Sequence, residues 1–374
     1  MIIAEHLVPF DKSYVSDLVL KGSVADIAHF CKAEERIESL TAGTVAILFA
    51  EQECSLGYDE QLLSALGQLF PTWDTLKVAI LGRLITSSNE DYNYTSFVEL
   101  LNELLRCGHY PVVFSSNRKY GELACQILQN AGNLNLASIT PTLGFSAGFR
   151  DADVVGALSC ISFQPHDSIS AIATQSYFSD DTFVRKYENL YFQHIRLGHL
   201  RESIRFAEPP LRDANLLLVD ASSVRFSDFS SSAYISPNGL YAEEICQLMR
   251  YAGFSDNLSM VFFGGFDPVK LKDSPVDIML MGQGVWHLLD GLAHRRVEKV
   301  GVTNFPSKQF FVDLGEQEPL TLKFLRSDVT GRWWLFIPSP SGGGRWIACD
   351  AEDYDNAKHH EMPLRWISVY KTER

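Results

Sequence analysis

No stretch of this chain approaches the ~18 consecutive apolar residues needed to cross a bilayer, so a membrane-spanning helix is not expected. The first residues, Met-Ile-Ile-Ala-Glu-His, lack a basic segment followed by an apolar one, so a secretory leader is not expected either. Cysteine is sparse and irregular. The seven, at 31, 54, 107, 125, 160, 246 and 349, include no Cys-x-x-Cys pair, which argues against a zinc knuckle or a disulfide framework. Reduced thiols in a cytoplasmic protein fit best. Positive charge is also short: 32 Lys and Arg stand against 46 Asp and Glu, for a net charge of −14. That balance argues against nucleic acid or an anionic membrane surface as the main partner. No Gly-x-x-x-x-Gly-Lys-Ser/Thr loop is present, so nucleotide hydrolysis has no support.

What the chain does contain is a long alternation of short apolar runs with amphipathic stretches. The 374 residues, 46% hydrophobic and 21% charged, suffice for a large core. Strands are expected at Thr44–Phe49, Lys77–Leu81, Pro111–Phe114, Leu136–Ile139, Ile169–Ala173, Leu216–Val219 and Ser259–Phe263. Helices are expected at Glu60–Leu69, Ser96–Cys107, Tyr120–Ala131, Glu243–Ala252 and Val276–Ala293. Continuously apolar strands separated by helices indicate a parallel sheet covered on both faces. Such sheets carry their sites at the carboxyl ends of the strands. The last ~75 residues read differently, as short strands around Gln309–Asp313, Leu320–Phe324, Trp333–Ile337 and Arg345–Ala348. They predict a small antiparallel appendage, with one ring of the Trp333-Trp334 pair in its core and the other half covered. The division expected is 1–300 for the α/β/α domain and 301–374 for the extension packed on it.

One segment carries a more specific signal. Leu216-Leu-Leu-Val-Asp220-Ala-Ser222-Ser-Val-Arg225, followed by Ser236-Pro-Asn-Gly-Leu-Tyr-Ala-Glu-Glu244, resembles the last metal-binding segment of the arginase (ureohydrolase) family. The resemblance extends over roughly 45–295, and Arg332-Trp333-Trp334 brings it closest to a formimidoylglutamase-like subgroup. It implies a three-layer α/β/α fold. It also implies, for active members, a manganese pair that generates hydroxide to hydrolyse amidine-type C–N bonds. About four carboxylates and two imidazoles would be needed to offset two dications, a donor set that suits manganese.

Transferred position by position, that donor set is mostly missing. Arg118 stands where the first His would be, after Asn117, in Ser115-Ser-Asn-Arg-Lys119. Thr140, Thr142 and Gly144 occupy the three positions of Asp-x-His-x-Asp. The last pair becomes Asp220 and Ser222, the acid three residues further on becomes Arg225, and the Glu beyond the final strand becomes Gly265. The six ligand positions thus hold one Asp, one Arg and four neutral residues, which cannot repay the dehydration of two cations. The expectation is a degenerate former metal pocket with no metal cofactor, formed by Asn117, Arg118, Thr140, Thr142, Asp220, Ser222 and Arg225, with Arg118 paired to Asp220. Such a chain would bind an unidentified protein or small molecule, and family analogy implies a homo-oligomer. The alternatives are a working manganese-dependent C–N hydrolase and a structural subunit of a cytoplasmic assembly. The remaining histidines have no convincing ligand spacing, and Ser116 or Asn117 also reads as a plain helix cap.

Overall fold

The structure is a computed structural model that describes residues 1–14, 19–51, 57–132, 134–143, 167–179, 181–190, 192–314, 320–339 and 342–372. Its strands are β1 (Leu7–Val8), β2 (His29–Phe30), β3 (Val45–Phe49), β4 (Val78–Leu84), β5 (Tyr110–Phe114), β6 (Asn135–Ile139), β7 (Ser168–Thr174), β8 (Gln193–Arg196), β9 (Leu216–Asp220) and β10 (Met260–Gly264), followed by β11 (Ser307–Asp313), β12 (Thr321–Ser327), β13 (Trp333–Pro338) and β14 (Gly344–Cys349). The first ten form one sheet in the order β1-β4-β3-β5-β10-β9-β6-β7-β8, with β2 also paired to β4. Every pair is parallel except β1 with β4.

The three layers arise from strand geometry. Successive side chains of a strand point to opposite faces. Val45, Ile47 and Phe49 of β3 therefore enter one apolar cluster, and Ala46 and Leu48 enter the other. The first cluster is covered by helices Tyr58–Leu66, Ala242–Gly253 and Pro275–His294. The second is covered by Glu90–Arg106 and Arg118–Ala131. Glycine explains how two of these helices cross. A Cβ on Gly253 would stand 2.4 Å from the Leu288 carbonyl, and one on Gly291 2.4 Å from that of Arg250, so the backbones meet directly.

The α/β/α fold and the antiparallel appendage are as the sequence predicts. The appendage differs in one respect: helices Ala351–Lys358 and Leu364–Thr372 come after β14 and pack on its sheet. Their apolar residues span too few turns to show a clear period, although Asp350 and Asp353 form a capping box. β4 runs past the expected Leu81 to Leu84, and its Arg83 is held by the buried Asp59, by Glu60 and over the Phe10 ring. Trp334 is buried, whereas Trp333 is half-buried and stacks on Tyr354 at 4.9 Å.

A buried guanidinium joins the appendage to the sheet domain. Arg212 donates to the carbonyls of Trp333 at 3.0 Å and Cys349 at 3.2 Å, pairs with Glu208 at 2.8 Å, and lies 4.8 Å over the Trp334 ring. Asp213 beside it accepts from the Ala348 N–H at 2.7 Å. Replacing Arg212 by Ala removes a donor from the buried Cys349 carbonyl and the part-buried Trp333 carbonyl, and leaves Glu208 with Arg332 at 3.7 Å. R212A is expected to lose roughly 3–5 kcal/mol of unfolding free energy in urea titrations. A loss below about 1 kcal/mol would mean that Arg212 does not hold the appendage.

Candidate functional site

The carboxyl ends of β6, β9 and β10 form one row. Ile139 faces Val219, and Gly264 faces Asp220, so Thr140, Asp220 and Gly264 stand side by side across three strands. Asp220 is 1% exposed, and its Oδ1 accepts the Ser222 N–H at 2.8 Å. Gly265 has φ +70, and a Cβ built there would lie 1.9 Å from that same Oδ1. The carboxylate therefore occupies the space of a side chain at 265, the position where the family resemblance would put a glutamate.

The hydroxyls in the row are engaged within the chain. Ser222 donates through Oγ to the Gly265 carbonyl at 3.2 Å and accepts from the Tyr234 N–H at 3.3 Å. Thr140 bonds to the Thr142 carbonyl, and Thr142 to that of Phe178, both at 3.2 Å. The segment after β9 lies across the strand ends, with the Ala233 N–H on the Gly265 carbonyl at 2.9 Å. Asp277, buried in helix Pro275–His294, anchors it by accepting from Ser230 and Ser231 at 2.6–2.9 Å.

Thr140, Thr142, Asp220 and Ser222 are thus brought together, and the other expected residues are not. Asn117 caps helix Arg118–Ala131, accepting from the Lys119 N–H at 2.9 Å. Arg118 is the first residue of that helix, and the ion pair expected with Asp220 is not among those formed between the described residues. β10 separates β5 from β9, which sets the two strands roughly 9–10 Å apart, and the Asp220 carboxylate is turned onto Gly265. Arg225 also points elsewhere, to Asp228 at 2.7 Å and over the Tyr241 ring at 4.2 Å. Gly144 lies outside the described residues. So does the run Gly144-Phe-Ser-Ala-Gly148, shortly past β6, which has the Gly-x-Ser-x-Gly spacing of a nucleophile elbow.

A second strand-end group is one that the sequence reading misses. Glu51, just past β3, accepts from the Ser116 N–H at 2.6 Å, the Ser116 Oγ at 2.7 Å and the Tyr58 hydroxyl at 2.9 Å. Desolvation outweighs these bonds, and burial pushes its carboxyl up to about 7. Its place directly after a predicted strand is the available signal. The partners that hold it come from two other segments.

Two cavities lie away from the carboxyl ends. One, of about 200 Å³, is lined by the starts of β6, β7 and β8 together with Arg345 and Arg365. The other, of about 720 Å³, lies between β8 and the appendage, and its walls include Glu188, His194, His199, Asp353, Glu361 and Arg365. Burial first, and Arg196 second, hold His194 below its ordinary range.

A ten-stranded, mostly parallel sheet between two helical layers, with its row of polar side chains at the carboxyl ends, is the arginase or ureohydrolase fold, and this chain has it. Formiminoglutamase of Trypanosoma cruzi, solved with Mn2+, superposes with a TM-score of 0.59 at 17% identity, covering 73% of this chain and 99% of that one. Formimidoylglutamase of Bacillus subtilis gives 0.60 at 11% identity, over 74% and 93%. The agmatine ureohydrolase of Thermoplasma volcanium gives 0.53 at 13%, over 75% and 97%. No protein-family profile matches the sequence, and no curated protein matches it by sequence.

Among the described residues, the row where β6, β9 and β10 end holds one carboxylate, that of Asp220, and the hydroxyls of Thr140, Thr142 and Ser222.

This geometry has two measurable consequences. Gly265→Ala must displace Asp220 and adopt a left-handed φ, so it is expected to cost roughly 1–3 kcal/mol. Adding Asp220→Ala should recover part of that loss, and strict additivity in the double-mutant cycle would contradict the contact. Glu51 titrates near 7 when folded against an ordinary value of 4.5. Folding therefore favours its protonated form. The resulting penalty is absent below about pH 4.5, grows as the unfolded chain ionises, and is complete above about pH 7. Glu51→Gln should flatten the decline in stability across that window, measured by denaturant titration at several pH values. An unchanged slope would rule out Glu51 as its source.

Proposed function

We propose that this chain is a ureohydrolase-fold protein that has left two-metal hydrolysis and acts by binding, in the cytoplasm, a small ligand or partner. The observation that carries this reading is the Asp220 carboxylate seated on Gly265 and bonded to the Ser222 N–H, among hydroxyls that bond within the chain. Active members of such a fold need several anionic donors at this place, and among the described residues where β6, β9 and β10 end the one carboxylate, Asp220, has its Oδ1 against Gly265. Fold alone does not carry an activity, because activity lives in the site.

The binding place favoured is the larger cleft beside the appendage. Glu188, Glu361 and Asp353 outnumber Arg365 on its walls, so a cationic ligand suits it better than an anionic one. His194 and His199 add ring surfaces and polar edges to the same walls.

The deciding experiment is manganese content by elemental analysis, with thermal shift alongside, on wild type and Asp220→Asn. Little Mn2+ uptake, equal in both proteins, is expected, together with no turnover of formimidoylglutamate. A stoichiometric manganese pair that raises the melting temperature, and is lost in D220N, would restore the hydrolase reading.

A further inference from the structure

At the outer edge of the sheet, remote in sequence from every residue of the strand-end row, three different metal-ligating side chains converge. The ligand atoms of His29, Cys31 and Glu35 all lie within 4.8 Å of one another, and they are the one such group among the described residues. From this convergence we infer a mononuclear site for a zinc-class divalent cation, held by His29 Nε2, Cys31 Sγ and a Glu35 carboxylate oxygen.

The local chain builds the group before any ion arrives. His29 and Cys31 are two residues apart along the β2 direction and so project to one face. The Cys31 N–H bonds to the Ile80 carbonyl at 3.1 Å, continuing the pairing of β2 with β4. The chain then reverses in a tight turn closed by the Glu35 N–H on the Lys32 carbonyl at 3.1 Å. That turn is clamped to the first residues: the Ile3 N–H bonds to Glu35 O at 2.9 Å, and the Ala4 N–H to Ala33 O at 3.1 Å. Glu35 is thereby returned over His29, with its Oε2 2.6 Å from Nε2.

The distances and the chemistry favour zinc over the manganese of the fold's hydrolases. Ligand atoms on one tetrahedral zinc stand roughly 3.3–3.8 Å apart, as bond lengths of ~2.0–2.3 Å require. The His29–Glu35 contact would open by about 1 Å, and the sulfur, within 4.8 Å of both partners, would close by at most roughly 1.5 Å. A mixed N, S and O set suits zinc, whereas manganese prefers oxygen and imidazole. Three protein ligands leave a fourth position for water, on the side where the His29 ring is exposed. In the metal-free chain burial pushes the Cys31 thiol up to about 12, and a coordinated cation takes the thiolate instead. The plain alternative is a surface His–Glu hydrogen bond beside a core cysteine.

Cobalt(II) and zinc titrations of the untagged full-length chain separate the two. One Co2+ per chain is expected, with visible bands of a tetrahedral centre and a thiolate-to-cobalt charge-transfer band in the near ultraviolet. Zinc should displace it and raise the melting temperature. Cys31→Ser should abolish the charge-transfer band, and Cys107→Ser should leave it. His29→Ala, at an exposed side chain, and Glu35→Gln, at a half-buried one and nearly isosteric, should each weaken zinc binding by at least ~10-fold against a competing chelator. If the buried Cys31→Ser variant fails to fold, those two variants decide. Binding without a thiolate band, or unchanged in H29A and E35Q, would overturn the site. The outcome is independent of the reading of the strand ends: Asp220→Asn should leave the cobalt spectrum unaltered, so either proposal can fail alone.

Discussion

The Asp220 carboxylate lies where a side chain of residue 265 would otherwise be, and most of the geometry at the strand ends depends on that contact. β9 and β10 are neighbours in parallel register, so the turns leaving their carboxyl ends share one space and must accommodate each other. A glycine with positive φ lets the chain leave β10 close under the carboxylate. The Ser222 N–H then satisfies one carboxylate oxygen, and the Gly265 carbonyl is left to accept from Ser222 and Ala233. A buried carboxylate is costly unless it is hydrogen-bonded. The local backbone supplies one such bond, from the Ser222 N–H to Oδ1.

The two cavities described above lie elsewhere in the same fold. Arg212 gathers two carbonyls and an aromatic face of the appendage, which fixes that small sheet against the edge of the large one. The cleft between β8 and the final helices exists because of this docking. A parallel sheet normally places its ligands at the carboxyl ends of its strands. Here the hydroxyls of Thr140, Thr142 and Ser222 stand at that place and bond within the chain, while a cavity of about 720 Å³ lies at the side of the sheet. The His29–Cys31–Glu35 group stands at the opposite edge of the same sheet, beyond β4, and depends on the N-terminal residues in place of the appendage.

Glu51 illustrates another effect of the architecture. Three donors converge on it, yet its surroundings still favour the neutral acid. The strand ends of β3 and β5 are thereby knitted by a group whose charge depends on pH. Asp220, further along the same row of strand ends, is held by fixed contacts of another kind.

The alternation of apolar runs and amphipathic stretches determined the layers of this protein, because side-chain period and burial of both sheet faces leave few other arrangements. The sequence around Asp220 and Gly239 also carried the family resemblance, and the residues at 118, 140, 142 and 222 stood in it as departures from the ligand pattern which that resemblance implies. The helix cap at Asn117 was equally legible, since capping is a local property. Tertiary structure alone decided which of these residues meet. It put Thr140 beside Asp220 but inserted β10 before Arg118, turned Arg225 onto Asp228 and Tyr241, and seated a carboxylate on Gly265. It also brought Glu51 to Ser116, and Glu35 back to His29. Strand order and turn closure set those distances, and neither is encoded in the spacing of residues along the chain.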